Sequence, residues 1–385
     1  MGRHRTSRSV RSLPLAGVFL LALLAIAVAS APGVSAKKAG HQLTVASYEL
    51  IGNVNFPTGY VFDGTNVGGL SSITYDAGRR VYHALSDDQG TINPVRYYSL
   101  AIDLADGRLD DGDIEFRKVT FMRDAAGELF APTSLDPEGF VLARPGQLFM
   151  SSEGFASRLI DPFVNRFNLP GYQTKAAPVP AKFLPTATQG VRQNLGFESL
   201  NVSPDRAWLY TANEGALVQD GPAANIGVPS TARILEYDLA KLRPGREVVY
   251  PVNPVAEMPV PDTAFRVNGL VELLPLDNVG TMLAMERSFS VGAGNTIHIY
   301  QIQTAGATDV SGDFALPATY TPVTKELVLD VEADLGIEPD NIEGMAFGPP
   351  LPDGRLPLVL VSDNNFDPAA ITQFIVLAVQ LEPVH

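Results

Sequence analysis

The sequence predicts an all-β protein folded as a single β-propeller of five or six blades with long loops. Three observations predict it. First, a short motif opens an apolar strand five times, and the hairpin that follows ends each time on an acid. Gly68-Gly69-Leu70 leads to Ser86-Asp87-Asp88, Glu138-Gly139-Phe140 to Ser152-Glu153-Gly154, and Glu198-Ser199-Leu200 to Asn213-Glu214-Gly215. Asn268-Gly269-Leu270 leads to Met285-Glu286-Arg287, and Glu343-Gly344-Met345 to Ser362-Asp363-Asn364. Second, the openings lie 70, 60, 70 and 75 residues apart, the mark of a repeat. Third, helical periodicity is nearly absent beyond the N-terminus. The 34 Gly and 30 Pro are spread along the chain, where they break helices and supply turns.

In chain order, residues 1–36 read as a signal peptide. Arg3, Arg5, Arg8 and Arg11 form a basic start, Leu13 to Ala29 an apolar run, and Val34-Ser35-Ala36 a small-residue cleavage site. The run is short for a membrane-spanning helix, so the sequence predicts cleavage, secretion and no stable membrane insertion afterwards. Residues 37–385 then form the propeller domain. Aromatic and β-branched runs predict strands over Arg80–Leu85, Val95–Ile102, Gln147–Ser151, Ala207–Ala212 and Arg233–Tyr237, then over Thr281–Met285, Thr296–Ile302, Leu358–Val361 and Thr372–Leu381. Turn pairs such as Ala77-Gly78, Pro145-Gly146, Pro204-Asp205 and Asp353-Gly354 make hairpins of them. The terminal strands, around Leu43–Val54 and Ile371–Leu381, are expected to pair and close the ring, because open edges invite aggregation. Two stretches, Leu169–Asn194 and Ala216–Ser230, read as long loops, which often carry function. A sixth, degenerate blade could hide in one of the long repeats.

Composition narrows the chemistry. The chain has no cysteine, which excludes disulfides, thiolate catalysis and Cys-ligated zinc. Its net charge is −14, and the leader holds four Arg and no acid, so the remainder is more acidic still. Such a surface repels nucleic acid, whose binding needs clustered Lys and Arg. The expected partner is a small molecule, and the expected state a monomer.

The acids fall into two columns. The first holds Glu138, Glu198 and Glu343, with Gly68 and Asn268 at the matching places; the second holds Asp87, Glu153, Glu214, Glu286 and Asp363. If inner strands surround a channel, both columns crowd its mouth, and like charges there need a cation or a proton. Carboxylates with the carbonyls of Asn213, Asn268, Asn364 and Asn365 suit calcium, or magnesium with more water. The same acids could instead accept backbone N–H bonds and lock neighbouring blades. Arg287, directly after Glu286, could hold a phosphate or carboxylate bidentately, or simply compensate the acids. Arg158, Lys175, Lys182 and Arg192 read as solvated surface. Of the histidines, only His83 is placed to be catalytic, and a packed structural role is favoured for it; His298 reads as packed within its strand. No G-x-S-x-G elbow, H-E-x-x-H motif or P-loop is present.

These motifs resemble the phytase-like family of secreted bacterial proteins described by an esterase-like activity of phytase. The residues that carry the resemblance are Asp136-Pro137-Glu138-Gly139, Phe197-Glu198-Ser199-Leu200, Trp208-Leu209-Tyr210-Thr211-Ala212-Asn213-Glu214, Met285-Glu286-Arg287-Ser288-Phe289 and Asn341-Ile342-Glu343-Gly344-Met345. The resemblance covers about Gly68 to Leu381. It implies a β-propeller distantly related to alkaline, calcium-dependent phytases, in which acids at the channel mouth hold calcium and basic residues bind phosphate. The departure is that Arg287 is the single basic residue within the motif columns.

The expectation that follows is a secreted, calcium-dependent phosphoester hydrolase acting on a small-molecule ester. Glu198, Glu343 and Arg287 are the candidate catalytic residues. Glu138, Glu153, Glu214, Glu286, Asp87 and Asp363 are the candidate calcium ligands. The alternatives are a non-catalytic extracellular binding propeller with structural calcium, or a metal-dependent lactonase or ester hydrolase.

Overall fold

In a computed structural model, residues 40–384 are described, and the predicted leader lies outside them. Five antiparallel sheets of four strands each are arranged as the blades of a propeller, and a two-stranded ribbon (Val61–Phe62 with Thr65–Asn66) lies outside them. Blade 1 comprises Ser72–Asp76, Val81–Ser86, Arg96–Ile102 and Ile114–Phe121; blade 2, Pro137–Arg144, Gln147–Ser152, Phe163–Asn168 and Gln173–Ala176. Blade 3 comprises Phe197–Val202, Trp208–Asn213, Ser230–Asp238 and Arg243–Val252; blade 4, Arg266–Pro275, Thr281–Ser290, Gly294–Gln303 and Thr324–Asp330. Blade 5 comprises Ile342–Phe347, Leu356–Ser362 and Ile371–Pro383, with Leu43–Pro57 as its outermost strand. The blade count is therefore five, and no sixth is hidden among the described residues.

The first strand of each blade touches the first strand of the next, around to blade 1 again, and so lines the central channel. The ring closes as the terminal runs predict: Leu43–Pro57 pairs antiparallel with Ile371–Pro383, from Leu43 opposite Pro383 to Pro57 opposite Ile371. Closure places the last unpaired edge beside a partner and joins both ends of the chain in one sheet.

Packing between blades supplies the core. Five apolar clusters fill the five gaps between successive blades, for example Leu85, Tyr97, Phe140 and Met150 between blades 1 and 2. Val141, Phe197, Leu209 and Leu235 fill the next gap, and Ile73, Tyr82, Val359 and Phe374 fill the gap between blades 5 and 1. Close approach of the inner strands explains the small residue after the motif acids: a Cβ on Gly139 would stand 2.5 Å from the Leu200 Cβ of blade 3.

The predicted strands agree with the observed ones to within a few residues, except that blade 4's hairpin is longer, Thr281–Ser290 rather than Thr281–Met285. Of the two predicted loops, Leu169–Asn194 contains the outer strand of blade 2 and a short turn of helix at Ala181–Phe183, whereas Ala216–Ser230 is irregular apart from its last residue. A buried ion-pair group anchors both: Arg233 meets Asp220 at 2.6 Å and Glu247 at 3.1 Å, and Lys182 meets Glu247 at 3.1 Å. The one α-helix among the described residues, Val331–Leu335, is capped by Asp330. No described helix is long and apolar enough to cross a membrane.

Phe374 is fully buried in the blade 5–blade 1 cluster and meets Phe56 of the closing strand edge-on at 6.1 Å. Phe374→Ala is expected to cost about 3–5 kcal/mol, the range for emptying a buried Phe site, measured as a lower midpoint in guanidinium unfolding.

Candidate metal and anion centre at the channel mouth

One backbone bond, repeated in four blades, brings the acids together. Where the second strand ends, its next residue donates its N–H to the inner strand: Asp87 to the Gly69 carbonyl (2.7 Å), Glu153 to Asp136 (3.0 Å), Glu214 to Gly196 (2.8 Å) and Asp363 to Asn341 (2.9 Å). In blades 2, 3 and 5 the inner strand bulges at the motif acid, between Pro137 and Phe140, Phe197 and Ser199, and Ile342 and Gly344. A bulge re-aims its side chain, and here it turns Glu138, Glu198 and Glu343 into the same mouth. In blade 1 Gly69, whose φ is +63° and where a Cβ would lie 2.2 Å from Asp87 Oδ1, holds the place of Asp136, Gly196 and Asn341, so the position of the motif Glu falls on Ser71 rather than on Gly68.

Blade 4 departs from this pattern. Its bulge falls later, between Leu270 and Glu272, so Asn268 pairs regularly with Ser288 and Gly269 with Arg287. A one-residue change of register exchanges the two faces of a strand. Arg287 therefore enters the channel mouth, and Glu286 does not. Glu286 faces the gap toward blade 3, where it accepts from Tyr250 Oη (2.9 Å) and Asn268 Nδ2 (3.1 Å) and pairs with Lys325. The candidate ligand set of the sequence thus loses Glu286, while its other members are brought together.

The mouth is a cavity of about 440 Å³. Ten carboxylates line it: Asp87, Asp136, Glu138, Glu153, Glu198, Glu214, Asp340, Glu343, Asp363 and Asp367, with Arg287 the single basic side chain. Three overlapping triads, Asp136–Glu138–Glu153, Glu138–Glu198–Glu343 and Glu153–Glu198–Glu214, each offer oxygens within 4.8 Å of one another, and all six residues are buried. At that separation and an effective dielectric near 20, each like-charged pair repels by about 3 kcal/mol.

The carboxyl groups respond accordingly. Burial, then repulsion from Asp363 and Glu343, holds Asp87 well above the usual carboxylate range; burial, then Glu198 and Asp87, does the same to Glu138. Glu153, Glu198 and Asp363 are pushed up in the same way, by burial first and neighbouring acids second. Burial also raises Glu214 to about 7 against the pull of Arg287, and Asp136 to about 6 against the hydrogen bond from Gln89. Arg287 Nη2 lies 3.0 Å from Glu343 Oε1 and 3.4 Å from Glu214 Oε1, and its buried Nε has no acceptor. Asn341 adds a bond of 3.0 Å from Nδ2 to Glu343 Oε1.

Such a donor set fits a hard cation. It is all oxygen, largely anionic and partly dehydrated, which suits calcium better than zinc or a soft metal. Of the asparagine carbonyls singled out in the sequence, Asn365 lines the cavity and Asn213 and Asn364 accept backbone N–H groups, whereas Asn268 donates its Nδ2 to Glu286 and its Oδ1 is buried without a partner. Arg192, Lys175 and Lys182 do not line the mouth, and Arg158 bonds Thr133. His83 is buried off the channel, with Nδ1 2.9 Å from Ser99 Oγ, and burial pushes it down to about 4, the structural role its place in the strand favours. His298 is held by Asp330 at 3.1 Å.

Sequence reasoning missed Asp136, Asp340, Asp367, Gln89, Phe265, Val267 and Phe289 as lining residues. A third column was legible for one of them: two residues before each motif Glu stand Asp136, Gly196 and Asn341, the residues whose carbonyls receive the repeated bond. The others sit on loops or on blade 4's extension, which the repeat does not encode.

A propeller with a carboxylate-lined mouth and one guanidinium defines the class, and comparison with known proteins supplies the family. The chain belongs to the phytase-like family described by an esterase-like activity of phytase, which it matches over residues 65–366. Among solved structures it is similar to the periplasmic gluconolactonase PpgL of Pseudomonas aeruginosa (12% identity, 84% of this chain and 90% of that one, TM-score 0.36). It is also similar to a Dyadobacter fermentans protein of unknown function (13% identity, 89% of this chain and 88% of that one, TM-score 0.38). At these scores the likenesses add nothing to what strand pairing already shows. No curated protein sequence matches the chain.

The raised carboxyl groups fix the sign of a pH dependence. A carboxyl whose pKa is higher folded than unfolded stabilises the fold below its unfolded value, near 4, and loses that contribution as pH rises through the folded value. In chelator, the melting temperature should fall as pH rises from about 4.5 to 8, and millimolar calcium should restore it at the upper end. Calorimetric melting across that range checks both.

Proposed function

We propose that this chain is a secreted hydrolase of phosphate esters that works with calcium bound at the channel mouth. The observation that carries the reading is the juxtaposition of three buried carboxylate triads with a guanidinium whose Nε has no protein acceptor. The family description, which names an esterase-like activity, supports ester hydrolysis in general. The leader predicted over residues 1–36 supports secretion.

Glu138, Glu198 and Glu343 would hold the cation from the inner strands, with Asp136, Glu153 and Glu214 completing the two adjoining triads. A bound divalent cation supplies charge neutralisation of the phosphoryl oxygens and a more acidic water. Arg287 would grip the anion through its free Nε. Glu343 and Glu214 fix that guanidinium through Nη2, so it is oriented before substrate arrives. Buried walls around the triads limit water and strengthen each of these interactions.

A second reading, a propeller that holds calcium without turnover, is favoured by one observation: ten acids line the mouth against a single base, and that base already has two carboxylate partners.

Hydrolysis of a panel of phosphomonoesters, phosphodiesters and carboxyl esters, with calcium and with chelator, separates the two. The hydrolase reading expects calcium-dependent release from a phosphate class, and a loss of about 100-fold or more in Glu198→Gln with Glu343→Gln. Arg287→Ala should cost phosphoester turnover about 100-fold and leave any carboxyl-ester turnover nearly unchanged. Silence across the panel from folded protein selects the binding propeller.

A further inference from the structure

Blade 4 carries more than Arg287 into the mouth. Because its hairpin runs on past the point where the other blades end, Val267 lies directly opposite Phe289, and Gly269 opposite Arg287. Residues two apart on a strand share a face, so Phe289 stands on the same side as Arg287, roughly 7 Å further out. Phe265 packs beside it with ring centroids 6.2 Å apart and planes tilted by 40°. Phe265, Val267 and Phe289 all line the acid cavity, and Phe265 is nevertheless 65% exposed. The apolar surface continues outward through Val260, 68% exposed, and Val291, to which it is tied by a backbone bond of 2.7 Å.

The remaining walls of the cavity are mostly carboxylates and amides, so a wall of aromatic and aliphatic side chains on one blade makes the mouth two-sided. Asn295, paired with Phe289, adds a polar group on that side: its Oδ1 is buried and has no hydrogen-bond donor. Solvated aromatic rings flush with a charged cavity gain free energy when a ligand ring covers them, by offset or edge-on contact. The acids and the lone Arg287 act in the opposite direction on a ligand with many negative charges, which meets repulsion on every side but one.

We infer that the mouth selects esters of a single phosphate on an aromatic alcohol, the phosphate at Arg287 and the ring against Phe265 and Phe289, and disfavours polyphosphorylated polyols. This rests on the hydrolase reading for its chemistry, but the recognition it describes can be measured without turnover. Asn295 Oδ1 would accept from a hydroxyl carried on the ring.

The test is calorimetric binding of phenylphosphonate and of methylphosphonate, neither of which is hydrolysed, to the calcium-loaded protein. Wild type should bind the phenyl compound about tenfold tighter than the methyl compound. Phe265→Ala, at a solvated position that leaves folding intact, should shrink that ratio, and Phe265→Ala with Phe289→Ala should bring it to within about twofold while leaving methylphosphonate affinity unchanged. Equal binding of both compounds by wild type, no binding of either, or an unaltered ratio in the folded single variant would overturn the inference. Phenyl phosphate hydrolysis measured in parallel keeps the two claims apart. A binding preference without turnover removes the hydrolase and keeps the aromatic site; turnover without preference does the reverse.

Discussion

Electrostatic repulsion among carboxylates that the fold forces together is the constraint on which the rest of this molecule depends. Pairs with oxygens within 4.8 Å repel by about 3 kcal/mol each at an effective dielectric near 20, well beyond what a surface ion pair returns. The closed ring does not let them separate. Each acid is fixed by an inner-strand bulge or by a strand-end bond to its neighbour, and both ends of the chain are locked into blade 5. The repulsion can then be relieved only by a proton, by Arg287 or by a cation. The single guanidinium touches two of the acids, which leaves the others to protons or metal.

Blade 4 breaks the symmetry of the ring, and that break changes what lines the mouth. Blades 1, 2, 3 and 5 deliver acids; blade 4, by moving its bulge past Leu270, delivers a guanidinium and an apolar wall instead. The displaced Glu286 is not wasted. It joins Lys325, Tyr250 and Asn268 in the gap toward blade 3, where Lys325 also sits over the Tyr250 and Tyr300 rings at 4.8 and 4.0 Å. Deeper on the same inner strand, fully buried Glu272 accepts the Leu273 N–H at 2.8 Å. That carboxyl is held far above the usual range by burial. It belongs to the fold rather than to the mouth.

Much of this was legible in the chain because a propeller writes its geometry as a repeat. Equivalent positions in the five motifs become equivalent positions around the channel, so Glu138, Glu198, Glu343, Glu153, Glu214, Asp87 and Asp363 could be grouped without coordinates. Glu286 shows where that logic fails. Spacing counts residues, whereas the face a residue presents depends on where the strand bulges, and a bulge has no residue signature of its own here. The extra acids Asp340 and Asp367 and Phe265 lie outside the repeated hairpin, and Phe289 sits where blade 4's hairpin runs on beyond the others, so motif spacing does not mark them as lining residues. The blade count needed the strand pairing, since repeats of this length hold either four strands with long loops or more.

The most direct test of the account is calorimetric titration of calcium into the chelator-treated protein near pH 6.5, in buffers of different ionisation enthalpy. Because the ligand carboxyls are held above their ordinary range, binding should be saturable and should expel protons. The apparent enthalpy should then vary with buffer, and both the binding and the proton release should weaken sharply in Glu138→Gln with Glu198→Gln. Absence of binding at millimolar calcium, or binding that releases no protons and survives both substitutions, would contradict the claim that this cluster is a cation site.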